Sequence, residues 1–230
     1  MKSLKKRKEE FIKLLQKNRI PKRIVDAFAI VNQEDFFDEI YSDALYGTQP
    51  IPVAPGKTGD EPLTMARMIH YCGIKKDSHV LEIGTGSGYS TAILANLAKS
   101  VTTIEIDEEL ALLAKKRFSR LKLTNIRVFA GDGTDVDESL GLFNAAVIFA
   151  GCTKRPLLLL HVMKQDGVVV FPMGPAHQQQ IALMLNHRDE NVEGIFLLCL
   201  RSFAPLCQLL VYMDDHISDF LILSGSSSGL

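Results

Sequence analysis

Leu81-Glu82-Ile83-Gly84-Thr85-Gly86-Ser87-Gly88-Tyr89 is the stretch on which the fold is decided. An apolar run, His79–Ile83, ends in three glycines spaced two apart, and the Ala/Leu-rich segment Ser90–Ala98 follows. A strand that meets a helix at a glycine turn brings backbone close to a ligand and aims the helix N-terminus at it. Downstream the alternation repeats. Val101–Glu105 is a second strand, and Asp107 offers an N-cap to a segment in which Leu110, Ala114, Phe118 and Leu121 recur at helical spacing. Ile126–Ala130, Ala145–Ala150 and Val168–Phe171 read as further strands, with a helix at Pro156–Met163. Gln180–Leu185 and Ile195–Leu200 are apolar runs joined by a polar turn at His187–Asn191, an antiparallel edge pair. The pattern predicts an α/β, Rossmann-like fold: a seven-stranded, mostly parallel sheet with helices on both faces.

Upstream, Phe11, Ile12, Leu14 and Leu15 cluster among charges as one helix. Pro21 opens another, with Ile24, Val25, Phe28 and Val31 on its apolar side. Residues 47–62 hold Gly47, Pro50, Pro52, Pro55, Gly56, Gly59 and Pro62 and predict a structured loop, with a helix from Leu63 to about Cys72. Three regions are expected: N-terminal helices and substrate loop over 1–62, a ligand-binding core over 63–215, and a Ser/Gly-rich tail over 216–230.

Composition narrows the function classes. The 230 residues are 47% hydrophobic and 23% charged, ordinary for a globular chain. A net charge of −1 argues against a dedicated nucleic-acid binder. That average conceals a skew: residues 1–23 hold ten Lys/Arg and two Glu, a surplus of eight, so the remainder of the chain carries −9. No apolar run approaches the ~18–20 residues of a membrane helix, and no secretory signal follows the basic start. Cys72, Cys152, Cys199 and Cys207 form no CxxC pair and sit among apolar neighbours, as free thiols in a reducing cytosol would. His70, His79, His161 and His177 show no metal-ligand spacing, and no metal is expected. Cytoplasmic localisation, a monomer, and no nucleic-acid or membrane partner are the expectations.

Two cofactor classes compete for the glycine turn. A pyrophosphate wants Gly-x-Gly-x-x-Gly, whereas here the spacing is Gly-x-Gly-x-Gly and Tyr89 stands where the last glycine would be. Glu82, an acid inside the strand, suits a cationic, amino-acid-bearing ligand better than a diphosphate. Glu105 ends the second strand about 20 residues on, where a carboxylate can accept from two ribose hydroxyls. Asp132 sits on the same rim in Gly131-Asp132-Gly133. S-adenosyl-L-methionine has a ribose, an adenine, an ammonium and a sulfonium, and no phosphate.

At this point the chain resembles the protein-L-isoaspartate (D-aspartate) O-methyltransferase family, class I S-adenosylmethionine-dependent enzymes. Glu82–Tyr89 is similar to the family's first motif. Val31–Phe36, Pro52–Pro62, Gly131-Asp132-Gly133, Pro172-Met173-Gly174, His177-Gln178 and Phe203-Ala204-Pro205-Leu206 resemble further family blocks, so the likeness spans about residues 20–207. It implies methylation of L-isoaspartyl carboxylates in damaged proteins, with an isoaspartate-bearing protein or peptide as partner. It also implies that Gly84, Thr85, Gly86, Ser87 and Gly88 pack against the methionine part, that Glu105 binds the ribose with Ile106 next to it in the cofactor site, and that Asp132 and Gly133 lie near the adenine. The family's Thr-Ile-Ser is here Thr58-Gly59-Asp60, so Thr58 and Asp60 are the catalytic candidates and a carboxylate replaces a hydroxyl. Asn32 and Gln33 replace a Pro-Arg pair, and Tyr46-Gly47 replaces Tyr-Asp. Three roles for Asp60 stay open: neutralised by Lys57, Lys154 or Arg155; base or cation anchor for a different acceptor; or turned to solvent. A cofactor-binding module without turnover is the reading of another class.

Overall fold

The computed structural model describes residues 3–174, 180–189, 192–200 and 210–212. The chain opens with α1 (Leu4–Lys17) and α2 (Lys22–Ile30), passes through a small hairpin, β1 (Pro52–Ala54) and β2 (Lys57–Thr58), and enters α3 (Pro62–Tyr71). The alternating part follows as β3 (His79–Ile83), α4 (Tyr89–Leu97), β4 (Ser100–Glu105), α5 (Glu108–Arg120), β5 (Ile126–Ala130), β6 (Phe143–Ile148) and β7 (Met163–Met173). β8 (Gln180–Asp189), β9 (Val192–Leu200) and β10 (Leu210–Tyr212) complete it.

The sheet order is β10-β9-β8-β7-β6-β3-β4-β5. β7, β6, β3, β4 and β5 are mutually parallel, and β8, β9 and β10 are antiparallel additions beyond β7. Among the described residues the sheet therefore has eight strands where seven were expected. β10 is the addition: three residues are too few to show an alternating pattern. The segment expected as a helix before β7 is a 3-10 turn, Leu157–Val162, because Pro156 and four consecutive leucines give no helical stripe. The hairpin inside the proline-rich loop also escaped the pattern, its strands being two and three residues long.

Alternation along the parallel strands sorts their side chains onto two cores. Val80, Val101, Ala145, Val147 and Val170 face the larger core, which also takes buried apolar residues from each of α1 to α5. Leu81, Ile104, Ala146, Ile148, Val169 and Phe171 face the smaller one, closed by Leu159 and Val162 of the 3-10 turn. Because both faces are covered, β4 is almost continuously buried despite Thr102 and Thr103. Asp107 caps α5 by accepting from the Glu109 and Leu110 amides at 3.0 and 3.2 Å.

The N-terminal helices share the larger core. Phe28, Phe36 and Phe37 all meet the ring of Tyr89 with centroids 5.9–6.2 Å apart. This is why an aromatic residue occupies the place of a motif glycine: Tyr89 docks the cap onto α4. Part of the basic surplus is structural too. Arg7 donates to the Asp43 and Ser42 carbonyls, both at 2.7 Å, and Lys8 donates to Asn32 Oδ1, which clamps α1 over the following loop. Among the described residues no helix is long and apolar enough to cross a membrane.

The chain reverses direction across the sheet at β3: β4 and β5 lie on one side of it and β6 and β7 on the other. Ligands in open α/β sheets bind outside the carboxyl ends of the strands at such a switch point.

Candidate active site

A cavity of 740 Å³ opens there, within the ~300–1,000 Å³ typical of ligand sites. Ile83 and Gly84 reach it from β3, Glu105 and Ile106 from β4, Asp132 and Gly133 from beyond β5, and Ile148–Cys152 from β6. Thr85, Gly86 and Ser87 form its glycine-turn wall, and Thr58 and Asp60 line it from the hairpin loop.

The amides of the three glycines in the turn are already engaged. Gly84 N–H donates to the Ile104 carbonyl at 2.8 Å, Gly88 N–H to the Thr85 carbonyl at 2.9 Å, and Gly86 N–H to Glu105 Oε2 at 2.8 Å. A pyrophosphate would need those donors. Glu105 is buried, and its Oε1 accepts from the Asp107 amide at 3.1 Å, which leaves lone pairs on both oxygens toward the cavity. Ile106 beside it is 68% exposed, an apolar side chain on the rim that a flat ring could cover. Asp132 accepts from the Thr134 amide and hydroxyl with Oδ1, both at 2.8 Å, and those bonds hold its carboxyl below the usual range. Gly133 is packed under Ile83 so tightly that an added Cβ would lie 2.2 Å from Ile83 Cγ2. Those residues fit a phosphate-free nucleoside.

Glu82 is placed differently from the other candidates, because it does not line the cavity. It is fully buried in β3, where Oε2 accepts from the Thr91 hydroxyl and, at 2.7 Å, from the Thr103 hydroxyl. The Thr103 and Thr85 hydroxyls lie 2.6 Å apart. With Thr103 donating to Glu82, Thr85 donates to Thr103. The acid thus orients the glycine turn through two threonines. Its Oε1 accepts no well-formed hydrogen bond among the described residues, although the Ser90 hydroxyl is near the carboxyl, and burial pushes the carboxyl up to about 7 from 4.5. The folded state holds a proton that the unfolded chain has already released between those values. Stability is full below about 4.5, falls as pH rises toward 7, and is level above it. Glu82→Gln keeps the two accepted bonds and removes this slope. Melting temperatures at pH 5 and pH 8 are expected to differ more for the wild type than for the variant. Parallel shifts in the two proteins would contradict it.

The substrate side is built by the loop. Lys57 Nζ and Asp107 Oδ2 pair at 2.7 Å, which ties the hairpin to the start of α5. Thr58 is exposed in β2. Asp60 is half-buried, and its side chain has no hydrogen bond or ion pair among the described residues. Burial pushes its carboxyl up to about 6. Lys57 is therefore not its partner, and Lys154 and Arg155, exposed on the opposite rim after β6, make no ion pair with it. Gln33, one of the departures, is tied to Tyr46, the residue retained ahead of Gly47. Gln33 Oε1 accepts from the Tyr46 amide at 2.5 Å, the Gln33 amide donates to Tyr46 Oη at 3.1 Å, and that hydroxyl donates to Glu34 at 2.5 Å.

Several wall residues carried no signal in the sequence. Ile51, Val53, Met65 and Phe149 line the cavity but read as ordinary core. Leu157 and Leu158, 47% and 63% exposed at the mouth, were hidden in a run of four leucines. Cys152 is half-buried on the wall, its thiol pushed up by burial. Cys72 is buried and free. His177-Gln178, Phe203–Leu206, Cys207 and the side chain of Cys199 lie outside the described residues.

A sheet wound in this order, with a glycine turn after β3 and a buried carboxylate ending β4, is a Rossmann-like fold, and the family that it matches is one of S-adenosylmethionine-dependent methyltransferases. Residues 6–207 match the family Protein-L-isoaspartate(D-aspartate) O-methyltransferase (PCMT). A protein-L-isoaspartate O-methyltransferase of Klebsiella pneumoniae subsp. pneumoniae is 36% identical over 159 residues, 69% of this chain and 76% of that protein. One from Vibrio atlanticus is 32% identical over 199 residues, 86% and 94% of the two chains. A crystal structure from Plasmodium falciparum, described as a protein-L-isoaspartate O-methyltransferase in complex with S-adenosyl-L-homocysteine, superimposes with a TM-score of 0.70 at 20% identity. It covers 85% of this chain and 94% of that one, and shares the fold. This chain belongs to the protein-L-isoaspartate (D-aspartate) O-methyltransferase family.

Proposed function

We propose that the protein transfers a methyl group from S-adenosyl-L-methionine to the carboxylate of L-isoaspartyl residues in damaged proteins. The observation that carries this is the family match over residues 6–207. The cofactor supplies an electrophilic methyl on a sulfonium. Gly84–Gly88 hold its methionine end, Glu105 accepts from the ribose hydroxyls, and Ile106, Asp132 and Gly133 receive the adenine. Residues 1–62 supply the cap and substrate loop, and residues 63–215 the core. The protein acts as a cytoplasmic monomer on isoaspartate-bearing proteins or peptides.

The acceptor needs no base. An Asp-like carboxyl has a pKa of ~3.9 and is ionised at neutral pH. What remains is to align oxygen, methyl and sulfur and to exclude water, for which the apolar wall of Val53, Phe149 and Leu158 is suited. Tritiated methyl transfer to an isoaspartyl peptide tests the reading, with Asp60→Ser in parallel. Label in the peptide supports it. Cofactor binding with no label in the peptide from either protein would refute it. In that case, S-adenosylhomocysteine formed with another acceptor would point to altered specificity, favoured by the unpartnered Asp60, and its absence to a binding module.

A further inference from the structure

Asp60 lines the cavity, so on the isoaspartyl reading an acceptor carboxylate would lie beside it, and two unit negative charges ~4 Å apart repel by ~1 kcal/mol in water and ~4 kcal/mol at an effective dielectric of ~20. Among the described residues no cation pairs with Asp60 to relieve this. Lys57 is bound to Asp107. Glu61, next in the chain, accepts from the Thr64 hydroxyl at 2.7 Å. The other charged groups around the cavity are Glu105, Asp132, Lys154 and Arg155, and none pairs with Asp60; the Cys152 thiol is neutral. No backbone amide donates to Asp60 among the described residues.

We infer that Asp60 works as a protonated carboxylic acid, donating its O–H to the acceptor carboxylate, so that the acceptor binds together with one proton. This rests on the isoaspartyl reading. A half-buried carboxyl without cation or N–H donors favours its neutral form, and a second carboxylate in contact favours it further. The proton resides on Asp60 because burial has already raised its carboxyl to about 6, whereas the acceptor arrives with an ordinary carboxylic acidity. The bond is a charge-assisted O–H···O⁻, shorter and stronger than a neutral one. It supplies a donor at the position where the resemblance has a serine hydroxyl. The balance is simple. Asp60 takes its proton from solvent, the acceptor oxygen gains the methyl, and the S–CH₃ bond breaks. Asp60 keeps its proton through that step. The neutral ester no longer stabilises it, so above about pH 6 the proton returns to solvent.

The test is the pH profile of kcat/KM for an isoaspartyl peptide with wild type, Asp60→Asn and Asp60→Ser. Glu82 titrates in all three, so ratios between proteins isolate Asp60. Wild type is expected to fall about fiftyfold between pH 6 and pH 8 relative to Asp60→Asn, whose amide donates at every pH. Calorimetry on the S-adenosylhomocysteine-loaded protein at pH 7, in two buffers of different ionisation heat, should show peptide binding with uptake approaching one proton for wild type and none for Asp60→Asn. Parallel profiles without proton uptake overturn the inference and leave the isoaspartyl reading standing. So does transfer by Asp60→Ser alone, which would make Asp60 a block. Loss of transfer in Asp60→Asn together with a preference for amine-bearing acceptors makes Asp60 an ionised anchor, also against it. No transfer by any of the three at any pH overturns both.

Discussion

Glu105→Ala is expected to weaken the affinity for S-adenosyl-L-methionine about a hundredfold. The carboxylate is buried at the end of β4, and both oxygens are already fixed, by the Gly86 amide at 2.8 Å and the Asp107 amide at 3.1 Å. It needs no reorganisation to accept two ribose hydroxyls on its remaining lone pairs. Hydrogen bonds to a charged group contribute ~1.5–3 kcal/mol each. A combined loss of about 3 kcal/mol corresponds to a factor of about a hundred in Kd. Glu105→Gln separates charge from shape. It retains one acceptor oxygen but presents an NH₂ that faces either a ribose hydroxyl or a backbone amide, so it should bind between wild type and alanine. Isothermal titration gives both values. A change under about threefold in the alanine variant would remove Glu105 from the cofactor site.

The parts of this site that were legible in the sequence are those whose chemistry is local. Gly84–Gly88 and Glu105 follow from a strand-turn-helix unit and the acid that ends the next strand, and both lie on the cavity wall. Asp132 was legible for the same reason, at the end of β5. Glu82 was read as facing a cation because it precedes the turn. Strand alternation puts it inside instead, and what fixes its surroundings is Thr91 on α4 and Thr103 on β4, which no spacing within the motif reveals. The hairpin wall and the Leu157–Leu159 mouth were not legible, because apolar residues that line a cavity and those that fill a core have the same composition. Asp60 was legible as a departure, and its surroundings were not. That no cation reaches it depends on Lys57 pairing with Asp107, fifty residues away in the chain.

Gly88→Ala is expected to be strongly destabilising, because backbone strain and a steric clash coincide at one residue. Gly88 is the N-terminal cap of α4 with φ 88°, a conformation that a residue with a Cβ adopts at about 1–3 kcal/mol. The space is also occupied. An added Cβ would lie 2.7 Å from Phe118 Cε1, 2.8 Å from Cζ and 3.5 Å from Ala114 Cβ. Phe118 cannot yield freely: it is 3% exposed and packs against Phe36, which packs against Tyr89. Overpacking adds about 1–3 kcal/mol. A combined loss of about 4 kcal/mol is a large share of the ~5–15 kcal/mol of a folded domain, and at ~2–4 °C per kcal/mol it lowers the melting temperature by about 10 °C. Gly56→Ala isolates the two contributions. Gly56 has φ 72° in the hairpin turn and nothing within 4 Å of an added Cβ, so it carries the backbone strain alone. Urea unfolding of both variants should show Gly88→Ala losing at least twice as much stability. Equal losses would mean that Phe118 moves aside at no cost, and the larger core would then be softer around the cofactor turn than its aromatic packing indicates.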